Sequence, residues 1–450
     1  MSAAGTDRDE QAYFDALVND ATSRLTGDEV LLATLTGEHT DFIRLNNTDV
    51  RQAGTIEQRR VAIDLIEGLR HVAGSTQLTG DADVDRRRVA DLIDTLREQR
   101  RFVGDDPYLL FNTDPVSTQR VESGAIPDPD AALSDLRAAG DGKDLVGIYA
   151  AGDTFSGFAN SLGQRNWFQS STFNLDWCFY LHADKAAKNL YAGFDWDDDA
   201  FARKVEWSTR QLDALRRDPI ELQPGDYRTY LAPRAMEELV SLWGYYGAFG
   251  HRAHETRQSP LLRLVAGEAE FAPSVTIAED TAGGVAPNFQ AQGFLRPDRV
   301  TLIESGHYAD TLVSPRSAKE FGIPTNGATS GEYPESLSIV PGDVPTDDVD
   351  NALGTGLYVG NLWYTNFSDR MACRTTGMTR FATFWMEDGD IVAPIGVLRF
   401  DDSAFRLLGD RLDGLTDSSE LLLDPSTYEE RSTASARMPG ALVDGMRFVL

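Results

Sequence analysis

The chain has 450 residues, 41% hydrophobic and 10% aromatic, enough to bury substantial cores and, by length, to form two domains. Its 71 acids against 42 bases leave a net charge of −29, and phosphate binding needs cationic patches, so nucleic acid and anionic membranes are excluded as partners. Two cysteines, Cys178 and Cys373, cannot build a disulfide framework, and no apolar run reaches the roughly 20 residues of a membrane span.

Only five bases are lysines: Lys143, Lys185, Lys188, Lys204 and Lys319. An acidic, Asp-rich, lysine-poor surface fits a salt-adapted cytoplasm; an ordinary acidic protein from a GC-rich genome has the same composition. The polar start, MSAAGTDRDEQ, does not resemble a signal peptide, so a cytoplasmic location is expected.

Residues 7–25 carry Tyr13, Phe14, Leu17, Val18 and Leu25 near helical spacing and predict an amphipathic helix. From about 29 to 78, short alternating runs at Val30–Leu35, Asp41–Leu45 and Arg60–Ile66 read as an antiparallel meander. Thr79-Gly-Asp81 opens a second helix with Val84, Val89, Leu92, Ile93 and Leu96 inward and the arginines at 86–88 and 98–101 solvated. Residues 104–131, rich in Asp, Pro and Thr, predict a linker or long surface loop. Leu145–Ala150 and Phe173–Leu181 read as strands. The glycine-rich turn between them, from Gly152, lacks the lysine and the G-x-G-x-x-G of a phosphate cradle. A third helix covers roughly 198–216 and ends before Pro219.

At Tyr227–Leu231 a strand feeds a short helix. Pro233 suits its first position, Glu237 and Glu238 are expected in its first turn, and Met236, Leu239, Val240 and Trp243 form a buried stripe. Ser241, Trp243, Tyr245 and Tyr246 are expected to face inward, toward a protected cleft. The remainder reads as strand and turn, with strands near Thr276–Thr281, Arg299–Gly306 and Ser336–Gly342, and a hairpin over Arg380–Ile395 turning at Glu387–Asp390. An amphipathic helix is predicted over Ser403–Leu412. The class expected is α+β: an N-terminal α/β domain (1–220) with a small sheet and packed helices, then a strand-rich antiparallel domain (221–450).

His251 and His254 share a helix face, with Glu255 as a third ligand or a base; following three glycines, the segment reads first as a solvated turn. Cys373 has the cationic neighbours Arg370, Arg374 and Arg380 that activate a thiol but no histidine nearby in sequence, and reads as structural. The same arginines suit a peptide carboxylate or an interface. Asn326-Gly reads as a turn. Ser314–Phe321 lacks both Gly-x-Ser-x-Gly and Ser-x-x-Lys, which argues against a serine hydrolase.

In their order, Thr301–Gly306, Ser317–Gly322, Thr325–Ala328, Ser338–Gly342 and Gly377–Ile395 resemble the TldD/PmbA (modulator-of-gyrase) family, with looser matches at Gly37–Arg44 and Val50–Gly54. The resemblance covers nearly the whole chain and is strongest toward the C-terminus, where Gly377–Ile395 is similar to the PmbA (TldE) side. It implies a peptidase that pairs a TldD with a TldE subunit and cleaves small or unfolded polypeptides inside a chamber. It also implies zinc held by an H-E-x-x-x-H helix and a later cysteine. That helix corresponds to Ser241–Tyr246, SLWGYY, which lacks both histidines and the glutamate, and both cysteines precede the hairpin beyond which the ligand should lie. The resemblance thus implies a TldE/PmbA-like subunit without zinc of its own, its metal expected in a TldD-like partner, as a hetero-oligomer or a homodimer. Whether the chain is itself an enzyme stays open. Trp243, Tyr245 and Tyr246 would wall the chamber, with Asn326, Arg374 and Arg380 at the peptide path or interface. The rivals are a peptidase with a rearranged metal site at His251, His254 and Glu255, and a non-enzymatic, homo-oligomeric peptide-binding scaffold.

Overall fold

In the computed structural model, which describes residues 9–183, 185–381 and 383–449, the chain opens with helix α1 (Glu10–Ser23). Asp9 caps it by accepting the Ala12 N–H; residues 7 and 8 of the expected helix lie outside the described residues. The meander is β1 (Val30–Asn46), β2 (Asp49–Glu67) and β3 (Arg70–Leu78), antiparallel as expected. The runs at Val30–Leu35 and Asp41–Leu45 are one strand. Gly37 between them does not break it; the position is closely packed, and a Cβ there would meet the Phe155 ring at 2.5 Å and the Gln58 carbonyl at 2.6 Å.

Helix α2 (Ala82–Arg100) turns Val89, Ile93 and Leu96 inward. Its arginines are not all solvated: Arg100 is buried and bridges Glu29 at 2.8 Å and Glu67 at 3.1 Å, because a carboxylate as deeply buried as Glu29 needs charged partners. The stretch 104–131 is not a bare linker either. It holds β4 (Thr118–Glu122) and the start of an unforeseen helix, α3 (Pro129–Gly140), with Asp128 as cap and proline at its first position.

The expected glycine-rich turn is the second half of a long strand, β5 (Asp144–Asn160). Gly152 sits within it at φ +135°, where a Cβ would stand 2.2 Å from the His39 carbonyl oxygen. β6 (Arg165–His182) and β7 (Lys185–Gly193) complete a seven-stranded sheet in which both β7 and the parallel β4 pair with β6. Helix α4 (Asp198–Ala214) then packs on β7 and β6.

β8 (Gly225–Leu231) and α5 (Pro233–Tyr245) stand where the pattern predicts, but Glu237 and Glu238 fall in the second turn of α5. A one-turn helix, α6 (His251–Glu255), comes next. The rest of the chain closes two mixed sheets. One, of nine strands, holds β8 between the parallel strand Gly356–Val359 and the antiparallel strand Ala441–Phe448. The other, of six, is centred on Ile277–Glu279 and Ser336–Ile339. The hairpin Thr383–Glu387/Asp390–Pro394 turns through Asp388 and Gly389, both left-handed, as a tight hairpin requires. The helix expected at Ser403–Leu412 shrinks to a π-type turn at Arg406–Asp410, bounded by strands on both sides.

The class is α+β, with a strand-rich C-terminal region. The seven-stranded sheet is drawn from residues 30–193 and the other two from 225–448. The packing is not divided in the same way. One core cluster joins Trp177, Phe201 and Leu212 to Tyr230, Phe384 and Leu442.

Candidate functional site

Helix α5 has two chemically opposite faces. Ala235, Met236, Leu239, Val240 and Trp243 are buried, and the Trp243 Nε1–H donates to Thr375 Oγ1 at 2.9 Å. Arg234, Glu237, Ser241 and Tyr245, at spacings of three and four, share the other face and line a cleft with two adjoining lobes. The larger lobe, about 430 Å³, lies between β7 with α4 on one side and β8, the start of α5 and the short helix Val349–Leu353 on the other. The second, about 370 Å³, runs along α5 past Ser241 and Tyr245 to Tyr333; Arg234 and Leu422 stand in the walls of both.

Arg234 anchors the charged face. Its guanidinium lies 3.0 Å from Glu237 and 3.3 Å from Glu238; desolvation works against its charge, and the two carboxylates outweigh that and raise its pKa. Burial pushes the Glu238 carboxyl up to about 7, against the pull of Arg234 and of the Leu362 N–H, which donates to it at 2.6 Å. The Ser241 hydroxyl donates to Glu237 at 2.8 Å. In the larger lobe the Trp207 Nε1–H donates to the Tyr358 hydroxyl at 3.2 Å, and Tyr230 packs on Tyr358 with ring centroids 5.5 Å apart. Burial raises both phenols well above their ordinary pKa.

The donor set does not fit zinc, which takes nitrogen, sulfur and carboxylate ligands in a tetrahedron. Neither lobe is lined by histidine or cysteine, Glu237 is held by Arg234 and Ser241, and among the described residues no three His, Cys, Asp or Glu side chains group as a metal site.

The sequence-predicted site residues scatter. Of the three aromatics, Tyr245 lines the cleft; Trp243 faces the core, not inward to the cleft, and Tyr246 packs on Phe367. Asn326 pins a loop, accepting the Val313 N–H and donating to the Thr311 carbonyl. Arg374 pairs with Asp401 at 2.5 Å, and Arg380 stacks 3.6 Å above the Trp363 ring. His254 is buried, not solvated: its Nε2–H donates to the Ala248 carbonyl at 2.7 Å, and desolvation lowers its pKa. His251 packs instead on Phe321, and Glu255 lies 3.9 Å from its Nε2. Cys373 is fully buried, and burial pushes its thiol up rather than down, despite the arginines flanking it in sequence.

The residues missed by pattern reading are Arg234, Glu237 and Glu238 on α5, and Lys188, Lys204, Trp207 and Tyr358 around it. The first three were within reach, since they occupy the helical face opposite an obvious apolar stripe. The others come together only through the fold.

The sequence of the strand-rich half, with the helix after β8 and its polar cleft, places the chain in a family: it belongs to the TldD/PmbA family, a peptidase-related class of protein. Residues 224–449 match the family model for the PmbA/TldA metallopeptidase C-terminal domain. Among solved structures the chain is similar to TldE from Thermococcus kodakarensis, at 14% identity and a TM-score of 0.75 over 97% of this chain and 100% of that one. It is also similar to a candidate modulator of a DNA gyrase from Thermotoga maritima, with 14% identity, a TM-score of 0.73 and coverage of 98% and 100%. A further candidate gyrase modulator, from Bacteroides thetaiotaomicron, gives 16%, 0.72, 99% and 100%. At these identities the likeness is one of fold. No curated protein matches the sequence.

Proposed function

We propose that the chain is the non-metallated, TldE/PmbA-like subunit of a cytoplasmic zinc metallopeptidase of the TldD/TldE type, which processes small or unfolded peptides. The observation that carries this reading is the cleft face of α5. It presents Arg234, Glu237, Ser241 and Tyr245, an ion pair, a hydroxyl and a ring, in place of metal ligands. Such a face binds and orients peptide by charge and hydrogen bonds, while a TldD-like partner supplies the metal and its activated water. The whole-chain likeness to the Thermococcus kodakarensis TldE supports the same reading.

The test is to express the tagged chain in its native host, purify it at high salt, and measure zinc and mass together. The expected result is co-purification with a second chain bearing H-E-x-x-x-H, with zinc following that chain. One zinc per chain on this protein alone would overturn the proposal and make His251 and His254 the residues to mutate. Stable self-association without such a partner would favour a non-enzymatic scaffold.

A further inference from the structure

The two walls of the larger lobe carry opposite charge. The wall from β6, β7 and α4 has Lys188, Arg203 and Lys204 against one acid, Asp176. The wall from the second half has Asp347, Asp350 and Glu420 against one base, Arg234. Local pairing removes both exceptions: Asp176 takes up Lys188 at 3.2 Å, and Arg234 is held by Glu237 and Glu238. One ion pair, Lys204–Glu420 at 2.9 Å, spans the lobe. Arg203, Asp347 and Asp350 form no ion pair among the described residues. Between the walls stand the rings of Trp207 and Tyr358.

Lysine usage sharpens the picture. The chain has five lysines, and two of them, Lys188 and Lys204, line this one lobe. Each ammonium already meets one carboxylate, Asp176 for Lys188 and Glu420 for Lys204, which leaves Arg203 as the cation of its wall without an ion pair among the described residues.

We propose that the larger lobe binds short peptides with both ends free. The carboxylate points to Arg203, the ammonium to Asp347 and Asp350, and a side chain lies against Trp207 and Tyr358. This rests on the peptide-binding role proposed above and narrows its substrate class. Three extended residues span about 10 Å, which suits a cavity of 430 Å³. The middle of a longer chain offers only neutral amides and gives Arg203, Asp347 and Asp350 no charged partner, so free termini are preferred.

The test is calorimetric titration of the isolated chain, at the lowest salt that preserves its native circular dichroism, with Ala-Phe-Ala, its N-acetyl form and its C-terminal amide. Each blocked form is expected to bind at least about tenfold more weakly than the free tripeptide. Asp350→Asn should abolish the penalty for acetylation and keep that for amidation, and Arg203→Met should do the reverse. Equal binding of free and blocked peptides, or no binding of the free tripeptide at millimolar concentration, overturns the proposal. Because neither partner nor zinc is present, a failure here alongside successful co-purification rejects the cleft reading alone. Selective binding by a chain that co-purifies with no partner rejects the subunit reading alone.

Discussion

Glu238 shows at the scale of one residue how burial stores a pH response. Desolvation raises its carboxyl from 4.5 to about 7, so the folded chain holds a proton that the unfolded chain releases. Its stabilising contribution is complete below the unfolded value and is lost as pH rises through that window, by at most about 3 kcal/mol from the size of the shift. Glu238→Gln keeps an oxygen for the Leu362 N–H and removes the titration. It should flatten the decline in stability between about pH 5 and pH 8, measured by denaturant melts at fixed salt. Glu279, also buried and pushed up to about 7 by desolvation, leaves a residual slope in the variant. Residue identity alone indicates neither shift. Both arise from desolvation imposed by the fold, which outweighs the opposing pull of the Leu362 N–H on Glu238 and of Arg296 on Glu279.

Elements are legible in the sequence where their own period decides them and illegible where pairing does. The apolar stripe of α5 is plain, and so is the Asp388-Gly389 hairpin. β5 reads as a strand and a turn because Gly152-Asp-Thr-Phe-Ser-Gly157 has turn composition. It stays extended because β1 and β6 pair with it on both sides along most of its length, and cross-strand pairing outweighs local preference. β4 is five residues long and its pairing begins at Asn166, far along the chain, so no local signal marks it. Gly152→Ala tests the β5 account. A methyl group there meets a carbonyl oxygen at 2.2 Å on a backbone that disfavours side chains, and the expected loss is about 3 kcal/mol or more in chemical denaturation. Gly54→Ala, in β2 with nothing within 4 Å of the added carbon, should change stability by about 0.5 kcal/mol or less.

For the whole molecule, composition and motif order indicate the family and the α+β class, and the α5 pattern indicates a cleft at Ser241 and Tyr245, but nothing indicates its larger lobe. Its aromatic pair, Trp207 and Tyr358, is 151 residues apart in sequence, and no period or motif links them. The net charge of −29 carries a prediction that does belong to composition. Self-repulsion of that size destabilises the compact state at low salt, and the Debye length falls from about 10 Å at 0.1 M to about 3 Å at 1 M. The melting temperature should therefore climb steadily as sodium chloride is raised from about 0.1 M into the molar range, followed by circular dichroism. A flat response would mean that the acidity is not a salt adaptation.

The core in which Trp177, Phe201 and Leu212 meet Tyr230, Phe384 and Leu442 also has a bearing on inheritance. Beside its own core, each half shares this interior with the other, so an exchanged half would leave part of it unmatched. A chimera joined near residue 220 would bring together surfaces shaped for different mates and should melt below either parent.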